Sequence, residues 1–144
     1  MASQAVIDAV TTEVTNAFPT LTVRKLLNEQ DPDPPRTEDA LDNGWIGLEF
    51  PTSTESLRSL GDASNNNWTE NGAFIVHVFI ASGTLETVAT SRDEQIKTLF
   101  RSRQIGTNNE ISILDLFEPN AGDRYGGNWF AISRGFGFER DFHG

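Results

Sequence analysis

The side chains best suited to acid–base or metal chemistry in this sequence are its two histidines. His77 lies in a stretch where apolar residues alternate, and His143 is the last residue but one. A hydrolytic triad or a multi-histidine metal site requires several such groups at one place. His77 is therefore interpreted as a structural histidine, and a Ser-His-Asp arrangement is not expected.

Other signatures of catalysis are missing from the sequence. There is no cysteine, which excludes disulfides, thiolate metal sites and cysteine nucleophiles. Neither a Gly-x-Ser-x-Gly motif nor a phosphate-binding Walker loop occurs. The 21 acidic residues show no spacing that singles out a catalytic pair. We therefore expect no enzyme activity, no catalytic residue, no cofactor and no bound metal.

A short aromatic run near the end of the chain matches part of an RNA-binding signature. Arg134-Gly135-Phe136-Gly137-Phe138 fits the first five positions of the RNP1 motif, whose aromatic rings stack on bases. Glu139 and Asp141 then stand where an aliphatic and an aromatic residue belong. The net charge of −10 also has the wrong sign for binding phosphates. We expect no sequence-specific binding of nucleic acid.

The same segment has the alternation of a strand with one aromatic face. Large residues recur at every second position from Phe130 to Phe142, and the residues between them are small or polar. Gly135 and Gly137 permit a bend or the close approach of another backbone. Two uses of the aromatic face stay open, core packing and contact with another chain. The candidate contact residues are Phe136, Phe138, Arg140, Phe142 and, from an Asn-rich polar stretch, Trp68.

Two helices are predicted from apolar residues at helical spacing. The first, Ser3–Phe18, has Ser3 as its N-cap and ends before Pro19. The second contains Ser91-Arg92-Asp93-Glu94, a capping-box signature that places its acidic residues in the first helical turn. The apolar stripe continues backwards from there, so a start near Thr84 is the alternative.

The strands are predicted from alternation and from the turn residues that separate them. Ala73–Ala81 is apolar on both faces, which is typical of a strand at the centre of a sheet. Polar loops are predicted for Gly61–Gly72 and for Pro119–Gly127. The other strands are predicted at Leu21–Leu27, Trp45–Phe50, Ser56–Leu60, Ile111–Phe117 and Trp129–Phe142.

Together these elements predict a single α+β domain over residues 1–144. A chain of 144 residues fits one hydrophobic core. The predicted order is α-β-β-β-β-α-β-β, with two main helices. The sheet is expected to be mostly antiparallel or mixed, with about four to six strands.

The charge of the chain narrows the classes of partner. Acidic residues outnumber basic ones by 21 to 11, which disfavours both duplex DNA and anionic membranes. No run approaches the ~20 apolar residues of a membrane span, and the first residues lack the pattern of a signal peptide. We therefore expect a soluble cytoplasmic protein with no membrane partner.

The acidic charge is concentrated in the segment Glu29–Asp42. It contains six acids, one base and three prolines, so an exposed loop is predicted. A calcium loop counted from Asp31 needs Gly at its sixth position and Glu at its twelfth, where Arg36 and Asp42 stand. The segment is therefore interpreted as a solvated charge run.

The order of elements and three local segments resemble a known family of phage proteins. A glycine-preceded apolar strand, Gly72-Ala73-Phe74-Ile75-Val76, is followed by Ser82-Gly83 and a helix. A Trp-led segment, Trp129-Phe130-Ala131-Ile132-Ser133, comes later, and an aromatic-acidic end, Phe138-Glu139-Arg140-Asp141-Phe142, closes the chain. In these features the chain is similar to the tail terminator (tail completion) proteins of long-tailed bacteriophages, typified by the terminator of phage lambda.

The resemblance implies a structural role in the virion. Proteins of this family form a six-fold ring on the head-proximal end of the tail tube, stop the addition of tube subunits and join the tail to the neck. The implied partners are further copies of the chain in a hexamer, the tail tube protein and a neck or head-completion protein. The implied location is the virion tail, after assembly in the host cytoplasm. An acidic ring fits the passage of genome DNA, because it does not hold the phosphates.

Two alternative functions stay open. One is another neck or head-closure protein of the same particle. The other is a small acidic module that inhibits a basic partner, since a charge of −10 would speed its association with a cationic protein. Self-association favours the ring-forming protein, and retrieval of one basic partner favours the inhibitor.

Overall fold

The computed structural model describes residues 2–26, 44–59, 66–81, 86–101, 103–118 and 129–143. Two helices, α1 (Gln4–Ala17) and α2 (Glu86–Phe100), accompany six strands and a short 3-10 turn, Thr107–Asn109. The strands are β1 (Thr22–Leu26), β2 (Trp45–Ser59), β3 (Asn67–Ala81), β4 (Gln104–Ile105), β5 (Ile111–Phe117) and β6 (Trp129–His143). Neither described helix has the length and apolar character needed to cross a membrane.

All six strands form one sheet in the order β1-β2-β3-β6-β5-β4. β1 runs parallel to β2, and the other neighbouring pairs are antiparallel. β3 pairs with β6 along its whole length, from Asn67 opposite His143 to Ala81 opposite Trp129. The described residues therefore form a single α+β domain with a mixed, mostly antiparallel sheet and two helices, as the sequence predicts.

The hydrophobic core lies between the two helices and one face of the sheet. Alternation along the strands turns Leu48, Phe74 and Phe136 to this side, which we call the helix face. The buried stripe of α1 follows the spacing of an amphipathic helix, because its members recur every three or four residues. The core combines Val6, Val10 and Val14 of α1, Ile96 and Phe100 of α2, and Ile46, Phe50, Val76, Val78, Ile111, Ile113 and Phe138 of the sheet.

Phe74 is the centre of an aromatic cluster within this core. Its ring centroid lies 5.1 Å from that of Phe100, 5.2 Å from Phe136 and 6.3 Å from both Phe50 and Phe138. Each aromatic pair at such distances contributes ~0.5–1.5 kcal/mol beyond the burial of its surface. The central strand is thus joined to α2, β2 and β6 through one side chain.

The face of the sheet away from the helices, which we call the back face, has a smaller buried cluster. Trp45 of β2 and Phe79 of β3 are directly opposite each other in the ladder and stack with centroids 4.0 Å apart and planes 8° apart. Both side chains are fully buried. The prediction of a central strand covered on both faces is confirmed at this end of β3.

The predicted separate strand Ser56–Leu60 is wrong, because β2 continues without interruption from Trp45 to Ser59. Pro51, expected to end the strand, lies where the pairing with β3 shifts register between Glu49 and Thr52. A bulge tolerates proline because no ladder hydrogen bond is required from it. Within the predicted polar loop 61–72, the residues from Asn67 onward belong to β3. The observed order is therefore α-β-β-β-α-β-β-β.

The capping-box interpretation of the second helix is also wrong. α2 begins at Glu86, so Asp93 and Glu94 lie in its middle; the alternative start near Thr84 is closer. The first helix and the strand at Thr22–Leu26 are confirmed. The acidic segment 29–42 and the turn-rich stretch 119–127 lie outside the described residues.

Asp93 joins α2 to β6 instead of capping its helix. Its carboxylate accepts hydrogen bonds from Arg134 Nη2 at 2.7 Å and from Nε at 3.1 Å. The Arg134 side chain is 11% exposed and also contacts Glu118 at 2.9 Å. Hydrogen bonding to Asp93 raises the pKa of the Arg134 guanidinium, so this arginine stays charged throughout the working pH range.

Replacing Asp93 by alanine is expected to lower the free energy of unfolding by about 3 kcal/mol, because an almost buried arginine loses its bidentate partner. Urea unfolding followed by circular dichroism measures this. Glu94→Ala is the matched control, since Glu94 is exposed on the same helix and its pair with Lys97 is worth about 0.5 kcal/mol. Equal losses of unfolding free energy in the two variants would show that the Asp93–Arg134 pair does not stabilise the fold as proposed.

Candidate functional site

The two outer ends of the sheet differ from its centre because part of each end has no neighbouring strand among the residues that the structure describes. β4 pairs only with Ile111 and Ser112, and the N–H of Ile113 donates to the carbonyl of Arg103 at 3.0 Å. Within the described ranges, no strand lies outside the remainder of β5. We call Leu114–Phe117 the β5 edge. Its alternate backbone N–H and C=O groups point away from β6 and can pair with another strand.

A second open edge lies at the other end of the sheet. β1 pairs with β2 only over Trp45–Glu49. In the part of the chain that the structure describes, no strand lies outside Thr54–Leu57, which we call the β2 edge. All four of its side chains are exposed. Among the described residues, the sheet therefore ends in two different edges that have no neighbouring strand.

The exposed large apolar side chains of the described residues all lie on these two edges. Leu114, Leu116 and Phe117 of the β5 edge are 58%, 37% and 39% exposed, and Leu57 of the β2 edge is 43% exposed. Contiguous exposed apolar surface marks interaction sites in soluble proteins. An apolar strand edge is also a template for pairing, since edges that must stay free are normally blunted with charge or proline.

Two glycines of β6 determine how the β5 edge lies on the sheet. Phe117 is directly opposite Gly135 and Asp115 is opposite Gly137. A Cβ atom at Gly135 would overlap the Phe117 ring, and one at Gly137 would overlap the Asp115 carboxylate. The close approach predicted at these glycines is therefore made by side chains and not by another backbone.

Opposite charges flank the two edges. Arg101, which follows α2, lines a small cavity of about 130 Å³ together with Leu114 and Leu116 of the β5 edge. Glu55 is part of the β2 edge. Both charged side chains are exposed, and neither forms an ion pair with another described residue. Among the described residues, Glu55 of the β2 edge and Arg101 beside the β5 edge are thus opposite charges without an ion pair, and the β5 edge also carries the exposed acid Asp115.

Of the predicted contact residues, Phe136 and Phe138 lie in the core. Their side chains are 0% and 1% exposed, and both rings belong to the cluster around Phe74. A contact role for these two is corrected to core packing, the alternative that the sequence leaves open. Stacking on RNA bases would also need exposed rings, so the RNP1-like run owes its pattern to the core.

Arg140 lies at the margin of the core beside the start of α1. Its Nη1 is 3.5 Å from Glu70, its Nε is 3.3 Å from Glu110, and its guanidinium carbon lies 4.5 Å from the centre of the Phe142 ring. Trp68 is paired directly with Phe142 on one side and with Leu57 on the other. Contact with a partner through Arg140, Phe142 and Trp68 stays a prediction.

A buried acid that the sequence analysis misses explains why α1 begins where it does. Glu70 is fully buried and accepts hydrogen bonds from the Ser3 hydroxyl at 2.6 Å and from the Ser3 N–H at 2.8 Å. Ser3 is the N-cap by position, but its side chain bonds to Glu70 and makes no capping bond. A negative charge at a helix N-terminus is favourable, and here it also ties α1 to β3.

The back face holds an unexpected chain of three polar side chains. His77 Nδ1 lies 2.6 Å from Ser133 Oγ, and His77 Nε2 lies 2.8 Å from Glu49 Oε2. Serine, imidazole and carboxylate in series are the components of a hydrolase triad. The three side chains therefore do come together, contrary to the expectation from the sequence, with a glutamate in the place of the aspartate. Only the pairing of three distant strands brings these residues together, which no sequence spacing reveals.

The surroundings of Ser133 favour a structural role for this arrangement. A nucleophilic serine is normally held at a sharp turn beside free backbone N–H groups that stabilise the oxyanion. Ser133 lies inside a continuous strand, directly opposite His77 in the ladder. In the described ranges, no three His, Cys, Asp or Glu side chains are placed to hold a metal ion. The three side chains link β2, β3 and β6 across the back face.

Replacing Ser133 by alanine is expected to leave the hydrolysis of p-nitrophenyl acetate at the rate of the unchanged chain. The same variant should lose about 1 kcal/mol of stability, because one cross-strand hydrogen bond to His77 is removed. Initial rates and urea unfolding measure the two effects. A Ser133-dependent rate well above that of free imidazole would assign catalysis to this site.

Comparison with known proteins identifies the fold alone. No protein-family model and no curated protein matches the sequence. Solved structures match it, among them one chain whose printed name states no function. It aligns with 100% of this chain and 99% of its own length, at a TM-score of 0.59 and 18% identity. Another protein therefore has this fold over almost the whole length of both chains.

Proposed function

We propose that this protein is a ring-forming structural component of a phage tail. It would cap the head-proximal end of the tail tube, end polymerisation of the tube and join the tail to the neck. The observation that supports the proposal is the pair of unlike open edges with exposed apolar side chains. A contact between two different surfaces of one chain is heterologous, and repetition of such a contact closes a ring when the rotation fits.

The remaining predicted contact residues supply a surface for a different partner. Trp68, Phe142 and Arg140 lie near the start of α1, at the end of the long β3–β6 pairing that is remote from Ala81. Tryptophan and arginine are enriched in protein interfaces, where they combine apolar area with a polar group. We propose that this surface binds the tail tube protein or the neck protein. The proposed location of the protein is the virion tail.

A tube-length assay tests the proposed function. The tail tube protein is polymerised alone and with increasing amounts of this chain, and tube lengths are measured by electron microscopy. We expect shorter tubes that stop growing, each with the chain at one end. Trp68→Ala is the test variant for the tube or neck surface, and Thr98→Ala on the exposed side of α2 is its control. Unchanged tube lengths at saturating concentrations of the chain would refute the function.

The response to salt separates ring formation from the inhibitor alternative. Copies of a chain with a net charge of −10 repel one another, so screening should strengthen their association. We expect the apparent association constant to rise about tenfold between low and 0.5 M salt, measured by analytical ultracentrifugation. An inhibitor of a basic protein would show the opposite trend, with binding that weakens as salt increases.

A further inference from the structure

We infer that neighbouring copies in the ring are joined by strand addition. The β5 edge of one copy pairs with the β2 edge of the next, and the sheets of adjacent copies become continuous. This inference rests on the proposed function and specifies the interface that would build the ring. The occupant of each edge is a second copy of this chain, because the chain itself carries both complementary edges.

The topology determines the direction of the pairing. β2 is antiparallel to β3, β3 to β6 and β6 to β5, so β2 and β5 run in opposite directions within one sheet. A second copy placed alongside in the same orientation therefore brings its β2 antiparallel to β5 of the first. Antiparallel pairing satisfies the free N–H and C=O groups of both edges.

The side chains that the two edges present also match. Antiparallel pairing in this register places Leu114 opposite Leu57 and Leu116 opposite Glu55. Leu116 lies across from the buried Phe136, and Glu55 lies across from the buried Glu70, so both belong to the helix face. The helix face of one copy is thus continuous with the helix face of the next. The two most exposed leucines, Leu114 and Leu57, cover each other.

Charge complementarity supports the same arrangement. Arg101 shares its cavity with Leu114 and Leu116 on the helix face of one copy. The pairing brings Glu55 of the next copy to Leu116, and therefore beside this arginine. Each of these charges lacks an ion pair among the described residues of its own copy. In the contact each of the two charges gains the other as its partner.

The pairing requires a stagger between copies, and the outer strands limit its length. Through Gly137 and Ala73, Asp115 is level with Thr52 of its own copy. In the junction Asp115 faces Ser56, four positions further along, which is a shift of ~14 Å at the rise of a strand. The next copy's β1 then lies beyond the end of β5. In the same register Arg58 and Ser59 would lie opposite Ile113 and Ser112, where Arg103 and Gln104 already occupy the edge. β2 must therefore leave β5 after Leu57, where its own pairing with β3 is irregular.

Charge reversal tests the interface directly. Glu55→Arg and Arg101→Glu each place like charges at every junction, and we expect each variant alone to lose association at least tenfold. An equimolar mixture of the two should regain it, because alternating copies pair every arginine with a glutamate. Ring formation is measured by electron microscopy and sedimentation, with and without tail tubes. Glu94→Arg, an equal charge change away from both edges, is the control and should assemble normally.

A cysteine pair supplies a second test that does not depend on charge. The chain contains no cysteine, so Ser56→Cys with Asp115→Cys introduces the only thiols. Paired residues across a ladder have Cβ atoms close enough for a disulfide, and mild oxidation should yield chains of covalently linked copies. Each single variant should give at most dimers.

The outcomes distinguish this interface from the function on which it rests. Rings or capped tubes that form equally well with both charge variants, and without cross-linking of the double cysteine variant, would overturn strand addition and leave the function standing. Failure of the unchanged chain to form rings or to cap tubes would overturn the function itself. Rescue in the mixture, with cross-links in the double variant, would establish the interface.

Discussion

Leu114→Asp is expected to weaken association between copies at least 100-fold while leaving the fold of each copy intact. Leu114 is 58% exposed in the single chain, so an aspartate there costs the monomer little. In the proposed pairing the same side chain is covered by Leu57 of the next copy. Losing a buried leucine costs ~1.5–3 kcal/mol, and an unpaired carboxylate in its place adds ~1–3 kcal/mol. Each 1.4 kcal/mol is about a tenfold change in affinity.

Sedimentation equilibrium measures the association, and circular dichroism with urea unfolding shows that the variant is folded. Thr87→Asp is the matched control, since it introduces the same charge at an exposed position near the start of α2, at the opposite end of the helix from Arg101. Leu57→Asp should reproduce the defect from the opposite edge. Normal association of the Leu114 variant, with its fold preserved, would remove the β5 edge from the interface.

Phe74→Ala is expected to lower the free energy of unfolding by about 4 kcal/mol, the largest loss for any single side chain discussed. Truncation of a fully buried phenylalanine typically costs ~3–5 kcal/mol through lost burial and the cavity that remains. Phe74 is also the ring that contacts aromatic rings of α2, β2 and β6 at once. Such a loss is a large part of the free energy of unfolding of an ordinary domain. The variant should therefore unfold in low concentrations of urea.

Phe142→Ala provides the comparison, because the same atoms are removed from a half-buried ring outside the Phe74 cluster. Its expected loss is about 1 kcal/mol, mainly from reduced burial and from the contact with Arg140. Urea midpoints and slopes for both variants measure the difference. A smaller loss for Phe74→Ala than for Phe142→Ala would show that the aromatic cluster does not stabilise the core as proposed.

The parts of the fold that the sequence predicts are those with a strong period. Val6, Val10 and Val14 repeat at helical spacing, and Phe74, Val76 and Val78 alternate, because each set covers one face of a core. The errors arise where polar residues form structure. Asn67–Gly72 has the composition of a loop but belongs to β3, because its backbone is paired with β2 on one side and with β6 on the other whatever its side chains. Proline normally ends a strand, but Pro51 lies at a bulge in β2, which the sequence does not reveal.

The functional surfaces are less accessible to sequence analysis than the fold. Exposure separates Phe136 and Phe138 from Leu114 and Leu116, yet all four are large apolar residues on strands. Only the end of the β4 pairing shows which segment of β5 has no neighbouring strand among the described residues. Gly135 and Gly137 are the available signal, because side chains lying flat on a neighbouring strand require residues without a Cβ.

The measurement that bears most directly on the proposed function is electron cryomicroscopy of tail tubes assembled in the presence of this chain. We expect a closed ring of copies at one end of each tube, with the sheets continuous from copy to copy and no copies along the tube wall. Tubes with bare ends, or with the chain bound only as single copies along their sides, would contradict the account.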